Sequence, residues 1–180
     1  MSMMKMAMNY IAAMSDEDKQ ELKTALKDLL KENVEFVRLS ACAAVPYQGS
    51  ANAAGWDLCA DLGEMDYITI APGEYRKIST GIAVALPEGT FGALYPRSGM
   101  ATKRGLVLAN GTGIIDADYR GPVIIALKNT SNEVQTITHG ERIAQMIVQP
   151  YVGVNFIETK SIGTTARGSG GFGSTDKKEK

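Results

Sequence analysis

The residues that could do chemistry fall into five short stretches rich in arginine, carboxylate, hydroxyl and glycine. In the stretch PRSGMA, at 96–101, a guanidinium, a hydroxyl and a glycine follow one another as Arg97, Ser98 and Gly99. A fork of N–H donors, a hydroxyl donor and free backbone N–H groups together are suited to binding phosphate. A short loop of this kind suggests a phosphate site without specifying one.

Two further stretches place one polar side chain beside a strand. Asp57 lies in AGWDL at 54–58, where it could cap its own backbone in a turn or orient a water molecule on a metal ion. Gln145 lies in GERIAQ at 140–145, where its amide could point at a phosphate or bond the strand backbone. For Asp57 the turn is the more common case, and for Gln145 the pattern favours neither reading.

The richest stretch is LANGTGIIDADYRG at 108–121. Asn110 and the glycine after it, between apolar runs, predict a hairpin whose backbone groups could read the edge of a base. Strict strand alternation would place Asp116 and Tyr119 on opposite faces, so the chain must bend or bulge for both to serve one pocket. The alternative is a polar hairpin with a tyrosine at a strand edge.

The last stretch, RGSGGFGST at 167–175, puts Arg167 and Phe172 within a run of glycines. Alone it would be a disordered tail. As an arm over a bound nucleotide it would offer a ring for stacking on the base, and a cation and amides for phosphates. Its flexibility would then make it a lid.

The composition removes several classes of function. The 180 residues carry 19 Lys+Arg against 20 Asp+Glu, a net charge of −1, which argues against a nucleic-acid partner. No apolar run approaches the roughly 18 residues of a membrane span. Two cysteines and one histidine exclude a zinc site of Cys/His type and a disulfide framework, and they suit a reducing cytosol. Catalysis must therefore use carboxylates, arginines and backbone amides, to which a metal ion held by substrate phosphates could be added.

The chain is expected to divide into 1–33, 34–162 and 163–180. In the first part, a Met-rich tail, flexible or docked on the surface, precedes a helix capped by Ser15 and Asp18 and stopped near Asn33. Its leucine stripe must bury on the core or against another chain, whose identity is unknown. After residue 34 about eight or more short strands, with no further helical pattern, predict an all-β jelly roll or barrel.

In this order, the five stretches resemble the five motifs of the trimeric dUTPase family. The likeness runs from about Val34 to Thr175 and is closest over 113–121 and 167–175. The resemblance implies a jelly-roll or distorted β-barrel core, here with an added N-terminal helix and a flexible Gly-rich C-terminal arm. It also implies a homotrimer whose active sites draw on all three chains, with each closing arm crossing from a neighbour.

The resemblance further implies hydrolysis of dUTP to dUMP and pyrophosphate, which removes dUTP from the nucleotide pool and supplies dUMP for thymidylate synthesis. Mg²⁺ would be held mainly by the substrate phosphates, and Asp57 would reach it through water. Asp116 would activate the attacking water, while Asn110 and the hairpin backbone pair with uracil and Tyr119 packs under the deoxyribose. The other implied substrate contacts are Arg97, Ser98, Gly99, Gly113, Ile114, Ile115, Gln145, Arg167, Phe172, Gly173 and Ser174.

Two other functions remain open alongside dUTP hydrolysis. One is dCTP deamination on the same fold, which the spacing of Asp116 and Tyr119 and the arm with Phe172 disfavour. The other is a regulatory binding protein that engages a partner through nucleotide-gated closure of the arm, and the extra helix would support it. The expected location is the cytoplasm, or the nucleus or host-cell cytoplasm for a eukaryotic or viral protein.

Overall fold

The chain is mostly β-structure with three helices in the parts that the computed structural model describes, residues 3–29 and 31–171. The helices are α1 Met3–Ala13, α2 Asp16–Leu29 and α3 Ser98–Arg104. The strands are β1 Glu35–Arg38, β2 Tyr47–Gln48, β3 Trp56–Cys59, β4 Tyr67–Ile70, β5 Tyr75–Ser79, β6 Ile82–Ala85, β7 Thr90–Pro96, β8 Leu106–Leu108, β9 Gly113–Asp116, β10 Ile124–Asn129, β11 Gln135–Thr138 and β12 Arg142–Pro150.

The strands pair antiparallel in four open sheets. The largest has the order β2-β3-β12-β7-β9, and the others are β5-β10-β8, β1-β6 and β11-β4. The predominance of β-structure and the N-terminal helix are confirmed, but within the described residues no sheet closes into the expected barrel. Closure requires every strand to pair on both sides, whereas the outer strands of all four sheets have one partner each.

One apolar core lies between the sheets and is built by strand alternation. Along β10, Ile125 and Leu127 are fully buried while Lys128 is exposed. Burying a side chain of this size contributes roughly 1.5–3 kcal/mol each. Asn129 is also fully buried, because its amide nitrogen donates to Ile70 O at 2.9 Å and its Oδ1 accepts from the Ser131 N–H at 2.9 Å.

The N-terminal part is more helical than expected. The Met-rich segment forms α1 instead of a flexible tail, since methionine, alanine and lysine favour helix and no glycine or proline interrupts them. The cap of α2 is confirmed, with the Asp18 N–H donating to Ser15 Oγ at 3.1 Å. This helix ends at Leu29, before the expected stop at Asn33. Leu26 on its stripe is 46% exposed, and no described helix is long and apolar enough to cross a membrane.

The expectation of no further helix is wrong for 98–104, where α3 forms. Two turns are too short to show a helical period in the sequence. The helix ends because Gly105 adopts φ 65° and its N–H bonds the carbonyls of Met100 and Ala101. Lys103 and Arg104 in the last turn suit the negative end of the helix dipole.

We expect Leu127→Ala to lower the free energy of unfolding by about 2–5 kcal/mol, because it removes buried atoms and leaves a cavity. Lys128→Ala on the same strand is the control and should change it little. Urea unfolding followed by circular dichroism measures both. Equal midpoints for the two variants would contradict the assigned core.

Candidate active site

The five-stranded sheet brings three of the five stretches together. Strand β12 lies between β3 and β7, so Gln145 is opposite Asp57 on one side and opposite Tyr95 on the other. The next pair along the ladder joins Ala144 to Pro96, and Arg97 follows directly. Residues some forty positions apart in sequence, such as Asp57 and Arg97, therefore become neighbours at one end of the sheet.

The Asp57 carboxylate lies between two guanidinium groups. Arg97 Nε donates to Asp57 Oδ1 at 3.0 Å, and Arg142 Nη1 donates to Oδ2 at 3.2 Å. The Asp57 side chain is only 16% exposed, against 31% for Arg97 and 44% for Arg142. Two positive groups and one negative group leave one net positive charge, so the cluster can attract an anion such as a phosphate.

Gln145 bonds the backbone of the neighbouring strand. Its Nε2 donates to Pro96 O at 3.1 Å, which is the strand-backbone contact left open by the sequence. Gly55 allows this placement, since a Cβ on Gly55 would lie 2.5 Å from Gln145 Oε1. The amide therefore ties β12 to the residue before Arg97.

Ser98 and Gly99 form the first turn of α3, and not the loop that the sequence suggested. The space beside Gly99 is open, because a Cβ on this residue would have no other atom within 4 Å. Arg104, just downstream, is partly buried and bonds other parts of the chain: it pairs with Glu141 and with the Thr136 carbonyl, and Nε donates to Gln135 Oε1 at 3.1 Å. Its role is to hold α3 against the turn before β12.

The turn at Asn110 is present, but the predicted hairpin is wrong. Strand β8 pairs with β10, and β9 pairs with β7, so the chain crosses between two sheets at this turn. The Ala109 N–H donates to Ala126 O at 2.8 Å, which directs the turn toward β10. Gly111 has φ 72°, a conformation that favours glycine, and its N–H closes the turn on Leu108 O at 3.1 Å.

Strand β9 exposes its side chains on one face only. Ile115 is buried, and a Cβ on Gly113 would lie 2.9 Å from Leu94 Cδ1, so both positions face the core. Ile114 is 54% exposed on the other face, together with Asp116. A ligand at β9 would therefore meet the side chains of Ile114 and Asp116, and only the backbone of Gly113 and Ile115.

A turn supplies the bend required between Asp116 and Tyr119. The Tyr119 N–H donates to Asp116 O at 3.1 Å, which ends β9 and reverses the chain. The Tyr119 ring lies against Gly121, where a Cβ would be 2.6 Å from Cζ, and its hydroxyl donates to Pro122 O at 3.1 Å. Gly121 is therefore required for this orientation of the ring.

Asp116 lies in an open cleft of about 690 Å³. Two other carboxylates line it, Glu88 and Asp118, along with Phe91, Ile114 and Tyr151. No group of three His, Cys, Asp or Glu side chains in the described part of the chain could hold a metal ion.

Within one chain, Asp116 and Arg97 lie far apart. Asp116 is opposite Phe91 at the start of β7, whereas Arg97 follows Pro96 at its end. Six residues of strand span about 20 Å at roughly 3.3 Å per residue. A single chain therefore has a cationic cluster and an acidic cleft at opposite ends of β7.

The C-terminal arm is described only to residue 171. Arg167 is exposed and its Nε donates to Gly170 O at 2.9 Å, within a turn of the arm itself. Phe172, Gly173 and Ser174 lie outside the described residues. His139, the single histidine, accepts the Leu62 N–H on Nδ1 at 3.1 Å and so has a structural role.

Arg142 and Tyr47 are the site residues that sequence reasoning missed. The Arg142 guanidinium lies 5.5 Å from the centre of the Tyr47 ring, in cation–π geometry. Arg142 lies three residues before Gln145 within the same stretch, and only its distance in the sequence from its partner Asp57 concealed it. Nothing in the sequence pairs Tyr47 with that stretch, since β2 has just two residues.

The described residues define a mostly β-structured protein of open antiparallel sheets, with a cationic cluster at one end of β7 and an acidic cleft at the other. The particular family follows from comparison with known proteins: the dUTPase family model matches residues 41–176, which contain all five stretches. The chain belongs to the dUTPase family. Helices α1 and α2 lie outside the matched residues.

Relatives of known name agree with this assignment. The deoxyuridine 5'-triphosphate nucleotidohydrolase of Desulfitobacterium hafniense is 42% identical over 147 residues, 81% of this chain and 96% of its own length. Its namesake from Hydrogenobaculum sp. is 44% identical over 142 residues, 78% of this chain and 96% of its own.

Solved structures of dUTPases share the fold. A Staphylococcus bacteriophage 80alpha dUTPase mutant with dUpNHpp has a TM-score of 0.72 at 27% identity and covers 81% of this chain and 99% of its own. A mutant dUTPase from phage phi11 of S. aureus, in which the coordination of a structural Mg(II) ion is described, has a TM-score of 0.64 at 25% identity, covering 73% of this chain and 99% of its own.

We expect Cys42 to react with iodoacetamide faster than Cys59 at about pH 8, because the thiolate is the reactive form. Burial raises the pKa of the Cys59 thiol on β3, so less thiolate is present at a given pH, while Cys42 is exposed. Mass spectrometry of Cys42→Ser and Cys59→Ser measures each thiol separately. Equal rates in the two variants would contradict the environment assigned to Cys59.

Proposed function

We propose that this chain hydrolyses dUTP to dUMP and pyrophosphate. The reaction would remove dUTP from the nucleotide pool and supply dUMP for thymidylate synthesis. The observation that carries the proposal is the family match over 41–176, which spans every stretch with suitable chemistry. Relatives covered almost completely by this chain are named for the same activity.

The proposed general base is Asp116. Its side chain is exposed in the cleft beside β9, where it can accept a proton from a water molecule that attacks the α-phosphorus. General-base assistance is typically worth about 10²–10⁴-fold in rate. The leaving group is pyrophosphate, and the oxygen of the attacking water remains on dUMP.

Selectivity for deoxyuridine would come from the chain between Asn110 and Tyr119. The turn at Gly111, which has φ 72°, would offer backbone donors and acceptors to uracil, and the bound base would fit too closely to admit the methyl group of thymine. A site that pairs with uracil strongly rejects cytosine, because its buried groups would otherwise be unpaired. The Tyr119 ring, held against Gly121, would pack under the sugar and exclude a 2′-hydroxyl.

The triphosphate would bind the cationic cluster. Arg97 retains N–H groups beyond those that bond Asp57 and the Arg142 carbonyl, and Ser98, Gly99 and the Gln145 amide surround it. Phosphoryl transfer depends mainly on such positioning and charge stabilisation. The oxygens of Asp57 each retain a lone pair after accepting one guanidinium bond.

These residues fit Mg²⁺ held chiefly by the substrate. Because the described residues form no carboxylate cage, the phosphates would supply most ligands, and Asp57 would reach the ion through water. Bound there, Mg²⁺ would neutralise phosphate charge and orient the chain of phosphates. The structural Mg(II) of the phage phi11 enzyme supports a role for this ion in the family.

A homotrimer would reunite the separated halves of the site. Since about 20 Å of strand separates Phe91, the partner of Asp116, from Arg97 in one chain, we expect a substrate that contacts both residues to lie between two copies. The segment after β12 exposes large apolar side chains, with Val152 84%, Phe156 100% and Ile162 99% exposed. A second copy would bury them, and residues 163–180 would then close over a neighbour's site through Arg167 and Phe172.

The alternatives are not favoured. The relatives are named for dUTP hydrolysis, and none of those described here is named for deamination of dCTP. A purely regulatory role has only the helices outside the family match to support it. Both alternatives are tested by the same measurement.

We expect pyrophosphate release from dUTP with Mg²⁺, and little from dCTP, dTTP or UTP. A coupled pyrophosphate assay on the four nucleotides, with and without Mg²⁺, measures this directly. Ammonia release from dCTP would support the deaminase instead, and dUTP binding without turnover would support the regulatory protein.

We expect Asp116→Asn to bind dUTP while losing at least about 10²-fold in kcat, because the amide cannot accept the proton. Asp118→Asn, two residues away in the same cleft, is the matched control and should keep most of the activity. Calorimetric titration with dUTP and the pyrophosphate assay separate binding from turnover. Wild-type turnover by Asp116→Asn would remove this residue as the base.

A further inference from the structure

Arg142 shares the Asp57 carboxylate with Arg97, although sequence reasoning assigned Arg142 no role at the site. The two arginines approach opposite oxygens of Asp57, and Arg97 Nη1 also donates to the Arg142 backbone carbonyl at 3.3 Å. Each Asp57 oxygen therefore has its own arginine. Arg97 is held at two points, the carboxylate and the carbonyl.

We propose that Arg142 is a positioning residue for Arg97, acting through Asp57, and that Tyr47 holds Arg142 in place. The proposal rests on the proposed function, in which Arg97 contacts the triphosphate. Arg142 itself is not required to touch the substrate. Its guanidinium competes with that of Arg97 for Asp57 Oδ2.

The competition follows from the geometry of the ion pairs. An arginine and a carboxylate with no other partner favour a bidentate pair with two parallel N–H···O bonds. Arg142 competes with this arrangement by donating to Asp57 Oδ2, and Arg97 makes a single bond to the carboxylate, through Nε. The N–H groups of Arg97 that bond neither Asp57 nor the Arg142 carbonyl remain available to a phosphate.

The backbone supports the same arrangement. The ladder between β12 and β3 changes register between Arg142 and Ala144, a bulge of the kind that redirects side chains. On the other side of β3, Tyr47 is opposite Asp57, and its ring lies 5.5 Å below the Arg142 guanidinium. Asp57 is thus flanked by Tyr47 on one strand and by the bulged strand on the other.

The first test is a double-mutant cycle on kcat/KM for dUTP. We expect Arg142→Gln to lose about tenfold in the wild-type background, but less than about twofold when Arg97 is already Gln, because no Arg97 remains to be positioned. Arg142→Lys should recover part of the loss. Equal losses in both backgrounds would show that Arg142 acts independently of Arg97 and would overturn the proposal.

The second test is a matched pair at Tyr47. Tyr47→Phe keeps the ring and should keep kcat/KM, whereas Tyr47→Leu removes it and should lose about two- to fivefold, the range of an exposed cation–π contact. Similar values for both variants would refute the role of Tyr47. Melting temperatures of all variants exclude loss of folding as the cause.

A third measurement does not depend on activity. The ¹⁵Nε–¹Hε resonance of Arg97, assigned by its loss in Arg97→Gln, should shift and change its solvent exchange in Arg142→Gln and remain in place in Lys128→Ala. An unchanged resonance in Arg142→Gln would overturn the positioning role. The resonance therefore tests the positioning role without any activity measurement. A failure of the proposed function would be seen instead in the pyrophosphate assay on the four nucleotides.

Discussion

The extended geometry of β7 is the constraint on which the arrangement of the proposed active site depends. This strand pairs with β9 near its start and is followed by Arg97 at its end, so the acidic cleft and the cationic cluster are separated by its full length. Strand geometry cannot shorten that distance. Under the proposed function, a substrate that contacts both the Asp116 carboxylate and the Arg97 guanidinium would lie between two chains, and assembly would then be linked to catalysis.

The cationic cluster and the acidic cleft are each stabilised by contacts that leave N–H donors or a carboxylate exposed. Asp57 is largely buried and takes one bond from each of two arginines, so the cluster remains cationic overall. Gly55 and Gly121 create the space in which Gln145 and Tyr119 lie. The fold thus places a cationic cluster at one end of the sheet and an exposed carboxylate at the other, and the proposed function uses both as preorganised groups.

The sequence predicted the strands that alternate strongly and the residues that cluster, because burial and motif spacing are local. Prediction failed where a strand or a side chain has its partner far away in the sequence. The Asn110 turn is correct, but the pairing of β8 and β9 with different sheets depends on β10 and β7. Strand β5 shows no alternation that sequence could reveal, because Ile78 is the one buried residue among its five. The two turns of α3 have no readable period, and Arg142 gains its role only through an aspartate 85 positions away.

Subunit complementation tests the shared site most directly. Asp116→Asn and Arg97→Gln chains, each expected to have strongly reduced activity alone, are mixed in equal amounts, unfolded and refolded together. If each site takes Asp116 from one chain and Arg97 from another, random assembly should restore about a quarter of wild-type activity. If the mixture stays as inactive as the separate variants while forming normal oligomers, both residues act within one chain and the account is contradicted.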